Sequence, residues 1–246
     1  MAIEKIIGIP IDQVSYDGIV EDVALCLKNE SEMTIVSINP QIILEAPNYP
    51  EVMSFIHKGT HRIPDGIGVV MVSVLTGGKI RERITGFDLM IKLLEYANQN
   101  NRSCFFYGAK KNILDDMIKN IHLQYPNIII VGEIDGYTTM KDEEIVGKIN
   151  ESNADFLFVA LGFPKQERWI SKNQDSLQVR VIQDVGGSFD VLSGHVRRAP
   201  QFLIKLHLEW LYRSLRTPKR IGRIFQLPIF LVKGLNWKIK NEYNNN

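Results

Sequence analysis

The sequence predicts an α/β protein: a Rossmann-like parallel sheet flanked by helices, with a basic amphipathic helical appendage at its C-terminal end. Three observations predict this class. Short β-branched apolar runs alternate with helix-length amphipathic stretches over residues 1–198. Runs such as DFLFVAL are apolar throughout rather than at every second position, which calls for burial on both faces of a parallel sheet. Near Arg198-Ala199-Pro200 the alternation stops and the charge changes sign. Residues 197–246 carry eleven Lys/Arg against two acids, whereas residues 1–196 carry 18 basic and 26 acidic side chains. The predicted division is a domain over 1–198 and an appendage over 199–246.

The β-branched runs place strands at Ile6–Ile11, Thr34–Ile38, Ser103–Tyr107, Ile128–Val131, Phe156–Ala160 and Val179–Asp184. Amphipathic spacing places helices at Tyr16–Lys28, Pro50–Lys58, Phe87–Gln99, Asn112–Gln124, Asp142–Ser152 and Lys165–Lys172. In open α/β sheets, ligands bind beyond the carboxyl ends of the strands. The Gly, Asn and Pro turns of this chain collect there: Asn39-Pro40, Gly108, Gly136-Tyr137, Gly162–Glu167 and Gly186-Gly187. Tight turns favour glycine for backbone reasons alone. The polar side chains beside these turns are what point to a cleft.

Other patterns exclude function classes. The first predicted strand ends IGIPID, so no GxGxxG dinucleotide fingerprint follows it, and there is no GxxxxGK[ST] loop. No HExxH, CxxC or Asp-x-Asp pair suggests a metal, so no cofactor is expected. The five histidines lack ligand spacing, and no serine sits in a nucleophile elbow. Cys26 and Cys104 lie far apart in apolar stretches and read as buried free thiols in a reducing compartment. The start, MAIEKIIGIPID, does not read as a signal peptide. The apolar run Ile224–Val232 is about half a spanning helix and contains Pro228. A cytoplasmic location follows from this reading.

Several segments in order carry a resemblance: SINPQIILEA, RIPDGIGVV, RITGFDLM, FFYGAKK, LFVALGFPKQERWI, DVGGSFDVLSGHVRRAP and LEWLYRSLRTPKRIGR. Together they resemble the WecG/TagA/CpsF glycosyltransferases, glycosyltransferase family 26, from about Ile6 to Arg223. LGxPKQE and VGGxFDxxxGxxxRAP are the most specific of them. The resemblance implies a metal-independent, inverting transfer of an N-acetylmannosamine-type sugar from a UDP-sugar donor. The implied acceptor is GlcNAc-diphospho-undecaprenol, and the implied products are teichoic-acid linkage units and related surface polysaccharides. A non-catalytic UDP-sugar sensor is the rival reading. An epimerase is a third, for which no nicotinamide fingerprint is present.

The residues suit these roles and also have plainer uses. Asp65, in the turn Ile63-Pro64-Asp65-Gly66, is the base that the resemblance implies for the acceptor hydroxyl; it could equally cap a helix beginning at Gly66. Arg83 and Thr85 precede a helix, where a guanidinium and amides can take a diphosphate, or where a solvated Arg would stand. Asn39 could donate to a phosphate or sugar, or cap a turn. Ser37 stands where relatives commonly carry Thr. Gly108 belongs to the cleft rim. Gln166 and Glu167 can hold sugar hydroxyls or complement a helix start. Tyr137 can stack on uracil or pack locally. Gly186 and Gly187 permit close approach of a nucleotide, and Asp190 can accept from it. Relatives often read GVGG where this chain has Asp184-Val185-Gly186-Gly187, which adds a carboxylate.

In the appendage, Gln201, Lys205, Glu209, Arg213 and Arg216 form one polar stripe of a single helix, and Thr217-Pro218 starts another. By the resemblance, Arg213, Arg220 and Arg223 complete the site over a diphosphate. Basic residues mixed with Phe225, Phe230, Leu231 and Trp237 suit a lipid headgroup layer, so the inner membrane surface is the expected partner and nucleic acid is not. Self-association is left open. His207 stands where relatives often carry Gly before LEWLYR.

Overall fold

The computed structural model describes residues 2–216, 224 and 226–244. The predicted α/β class holds. Six strands form one parallel sheet: β3 (Met33–Ile38), β4 (His61–Pro64), β5 (Ser103–Gly108), β6 (Ile129–Ile134), β7 (Phe156–Ala160) and β8 (Val181–Asp184). Their order is β4-β3-β8-β7-β5-β6, and every neighbouring pair runs parallel. Side chains of β3, β7 and β8 are buried on both faces, as their unbroken apolar character requires. Successive residues feed two apolar layers. Val36, Ile38, Leu157 and Val159 enter one, while Ile35, Phe156, Phe158 and Val181 enter the other.

Helices cover both faces. Ser15 caps α1 (Tyr16–Lys28) by accepting from the Gly18 amide at 3.2 Å. α5 (Gly86–Gln99) buries Leu89, Met90, Leu93, Leu94 and Ala97, a single stripe at helical spacing. α6 (Lys111–Gln124), α7 (Asp142–Glu151), α8 (Lys165–Asn173) and α9 (Ser188–Leu192) follow β5, β6, β7 and β8 in turn. Cys26 and Cys104 are buried and free.

The structure corrects the expected first strand. Ile6–Ile11 is not a member of the main sheet. It is the bend of an antiparallel hairpin, β1 (Ile3–Ile6) and β2 (Ile9–Asp12), in a sheet of its own. Ile7 and Gly8 take φ of 50° and 82°, so the run of apolar residues hides a turn that glycine allows. The hairpin is tied to β4 through Asp12, which is fully buried and accepts from Arg62 at 2.9 Å. β4, α2 (Pro40–Glu45) and α9 had no counterpart among the predicted strands and helices, and α4 (Ile67–Leu75) was foreseen only as a helix beginning at Gly66. The sequence of α4, IGVVMVSVL, is apolar on nearly every side, so it shows no helical period. α3 spans Pro50–Lys58, as expected.

The appendage differs too. Gln201–Arg216 is not one helix but two, α10 (Gln201–Lys205) and α11 (Glu209–Arg216). The break falls at His207, whose φ is 59°. That left-handed conformation favours glycine, so the backbone at His207 is strained and the helix ends there. α12 (Gln226–Asn244) then packs back on α4 and α2, with Phe230 fully buried. The expected Thr217-Pro218 helix start lies outside the described residues.

Candidate functional site

One pocket of about 470 Å³ opens at the carboxyl ends of β4, β3, β8 and β7. Its floor is built from turns. After β3, Asn39 caps α2, its Oδ1 accepting from the Ile42 amide at 3.0 Å. After β4, the Asp65 amide donates to Ile38 O and Ile63 O at 2.8 and 2.9 Å, which seats Asp65 between the two strands. Gly66 follows with φ 104°, and a Cβ there would press on Pro40 at 3.3 Å. Asp65 therefore lines the pocket, and α4 has no side-chain cap.

The loop before α5 hangs from β4 by the Ile84 amide, 3.1 Å from Pro64 O. It carries Arg83 and Thr85 into the pocket. Thr85 caps α5 and hydrogen-bonds Asp88, and its own amide donates to the Tyr16 hydroxyl at 2.8 Å. Burial raises the Tyr16 phenol above its usual range, so it remains a neutral acceptor. Gly86 leaves room for Ser37: a Cβ there would sit 2.8 Å from Ser37 Oγ. The amide end of α5 thus faces the pocket beside Arg83, a favourable place for an anion.

Gln166 joins the remaining turns. Its Oε1 accepts from the amides of Gly162 at 3.2 Å and Gly186 at 3.1 Å. Its Nε2 donates to Glu167 Oε1 at 2.9 Å and Asp184 Oδ2 at 3.2 Å. Every hydrogen-bonding capacity of the amide is used. Gln166 is thus a clamp between the β7–α8 and β8–α9 turns. Asp184 also accepts from the Ser37 amide at 2.8 Å. Glu167 and Asp184 are both buried, and burial pushes both carboxyls up, Glu167 to about 7. The charge on Glu167 raises Asp184 further. Such a pair holds a proton near neutral pH.

The appendage supplies the last wall: Glu209, Trp210, Ser214, Gln226 and Leu227. Burial, followed by the charge of Arg83, holds the nearby His207 imidazole below its usual range.

Of the residues singled out from sequence, the pocket gathers Ser37, Asn39, Asp65, Arg83, Thr85, Gln166, Glu167, Gly186 and Gly187. Gly108, Tyr137 and Asp190 are not among its lining residues. Gly108 lies on β5, where a Cβ would collide with the Ala160 backbone, so close strand packing there requires glycine. Tyr137 follows edge strand β6, is 70% exposed, and donates its amide to Asp135. Asp190 sits in α9 beside Gly187. The backbone of Arg213 belongs to α11, its side chain is outside the described set, and Arg220 and Arg223 lie outside the described residues. Asp184, Gly86, Glu209 and Trp210 are among the lining residues that had not been chosen as site residues. The readable signal for Asp184 was its departure from GVGG. For Glu209 and Trp210 it was the LEWLYR segment.

The family model for the Glycosyl transferase WecG/TagA/CpsF family matches residues 4–244. The chain belongs to this family. Among its relatives, an N-acetylglucosaminyldiphosphoundecaprenol N-acetyl-beta-D-mannosaminyltransferase of Bacillus spizizenii is 43% identical over 80% of this chain and 76% of its own length. The protein of the same name from Bacillus subtilis is 40% identical over 79% of this chain and 75% of its own. That from Staphylococcus aureus is 34% identical over 93% and 90%. In this WecG/TagA/CpsF glycosyltransferase, no group of three or more His, Cys, Asp or Glu among the described residues is placed to hold a metal ion. Nor is any described helix long and apolar enough to cross a membrane.

Proposed function

We propose that this glycosyltransferase moves an N-acetylmannosamine-type sugar from a UDP donor to GlcNAc-diphospho-undecaprenol, with inversion and without a metal ion. One observation carries the reading: Asp65 and Arg83 line a single pocket, beside the amide end of α5. Arg83 and those amides take the diphosphate and stabilise it as it leaves. Asp65 accepts the proton of the acceptor hydroxyl while that oxygen attacks the anomeric carbon. The names of the relatives support the choice of acceptor and sugar. The acceptor's lipid supports work at the inner membrane surface, where the outward residues of α12, Ile229, Val232, Leu235 and Ile239 beside Lys233 and Lys240, meet the headgroup layer.

The test is UDP release from UDP-ManNAc with a short lipid-diphosphate-GlcNAc analogue, with and without EDTA. Wild-type release should be insensitive to EDTA. Asp65→Asn should lower it by about 100-fold or more with an unchanged unfolding midpoint. Undiminished release would remove Asp65 as base. UDP binding without release from any UDP-sugar would favour a sensor.

A further inference from the structure

The Arg83 guanidinium is close to fully enclosed, its side chain 9% exposed, yet it makes no hydrogen bond to any described residue. Its one ion-pair partner among them is Glu209 of α11, at 3.8 Å, beyond hydrogen-bond reach. The other Glu209 oxygen lies 3.5 Å from Arg198 Nε. Arg198 is itself fixed: it contacts Asp88 at 2.7 Å and lies over the Phe87 ring at 4.6 Å. Asp88 in turn receives the Thr85 hydroxyl at 2.7 Å. A chain of charges therefore runs from Arg83 through Glu209 and Arg198 back to the cap of α5. It begins and ends at pocket residues and passes through the appendage.

We propose that Glu209 is a positioning residue for Arg83, and that through it the placement of α11 and the capture of a diphosphate are linked. The inference rests on the donor reading given above. A carboxylate competing with the ligand would grip the guanidinium fork at hydrogen-bond distance, with two parallel contacts. At 3.8 Å it holds Arg83 by charge and leaves the N–H groups open to phosphate oxygens. Arg198, on the far side, draws on the other oxygen of the same carboxylate, so Glu209 is shared between two cations rather than committed to Arg83. Because the contact joins two elements, whatever strengthens one side strengthens the other.

The probe is UDP, titrated calorimetrically into the full chain carrying Glu209→Gln, Arg83→Ala, or both. Glu209→Gln should weaken UDP binding by about tenfold, a typical coupling. In the Arg83→Ala background it should change nothing further. UDP should also slow protease cleavage beyond residue 209 in the wild type, and this protection should vanish in Glu209→Gln. Equal losses in both backgrounds, or wild-type affinity in Glu209→Gln, would overturn the proposal. Should Glu209→Gln lower the unfolding midpoint by more than a few degrees, Glu209→Asp replaces it in the same cycle. It keeps the charge but draws it back by one methylene, and additivity there is equally fatal. A wild type that fails to bind UDP at all would instead sink the donor reading, and this inference with it.

Discussion

Gln166 uses both lone pairs and both N–H groups on four partners, two glycine amides and two carboxyls. Gln166→Ala would orphan all of them inside the fold. The expected loss is about 3 kcal/mol, or roughly 6–12 °C in the unfolding midpoint, together with loss of UDP binding. Calorimetry and titration check this. Glu167 yields a prediction with a sign. Its folded pKa is raised from 4.5 to about 7, first by burial, so the native chain holds this proton more tightly than the unfolded chain. Its contribution is fully present below about pH 4.5 and is lost as pH rises towards 7. Glu167→Gln keeps an acceptor for Gln166 and removes the titration. It should flatten the stability profile across that window and gain about 1–3 kcal/mol at pH 8; equal slopes in urea unfolding across the window would contradict it. At this scale the sequence was informative about place rather than use. Gln166 and Glu167 could be placed at a strand-end turn. That their groups would be consumed by one another and by Asp184 depends on side-chain directions set only when β7 and β8 pair.

Among the elements, those with a clear period were legible and those without were not. α5 and α8 show one buried stripe each and were placed within a residue or two. α4 is apolar nearly all round: Val69, Val70 and Val72 are buried and α12 packs against it, while Met71, Val74 and Leu75 stay exposed, so no period in its sequence announces the buried side. β4 has four residues and stands at the sheet edge, too short for a pattern. The break at His207, with its positive φ, carried no signal in the period of the flanking residues. The α4–α12 seam is close enough to test. A Cβ on Gly234 would lie 2.6 Å from Val72 Cγ1, and one on Gly68 would lie 2.6 Å from Leu227 Cδ1. Gly234→Leu should therefore lift α12 from α4. Protease cleavage within α12 should rise by about tenfold or more, as expected when a docked element opens locally, while the sheet's circular dichroism stays unchanged.

For the molecule as a whole, fold class and the charge division between body and appendage were both readable, because each is a sum over many residues. The path of the appendage was not, since its return over α2 and α4 is a tertiary choice. Its outward face carries Ile229, Val232, Leu235 and Ile239 with Lys233 and Lys240 beside them. Val232→Asp with Ile239→Asp should reduce co-sedimentation with phosphatidylglycerol vesicles by about tenfold or more, since burying each such side chain contributes about 1.5–3 kcal/mol. UDP affinity in solution should be unaffected. The pocket has a further property at this scale. Its walls are drawn from positions as distant as Ser37 and Leu227, so it is an assembly of contacts between remote parts of the chain. A chain still emerging from the ribosome has the first of these walls long before the last. An unfinished copy thus lacks the walls that the appendage supplies, and its cleft is incomplete.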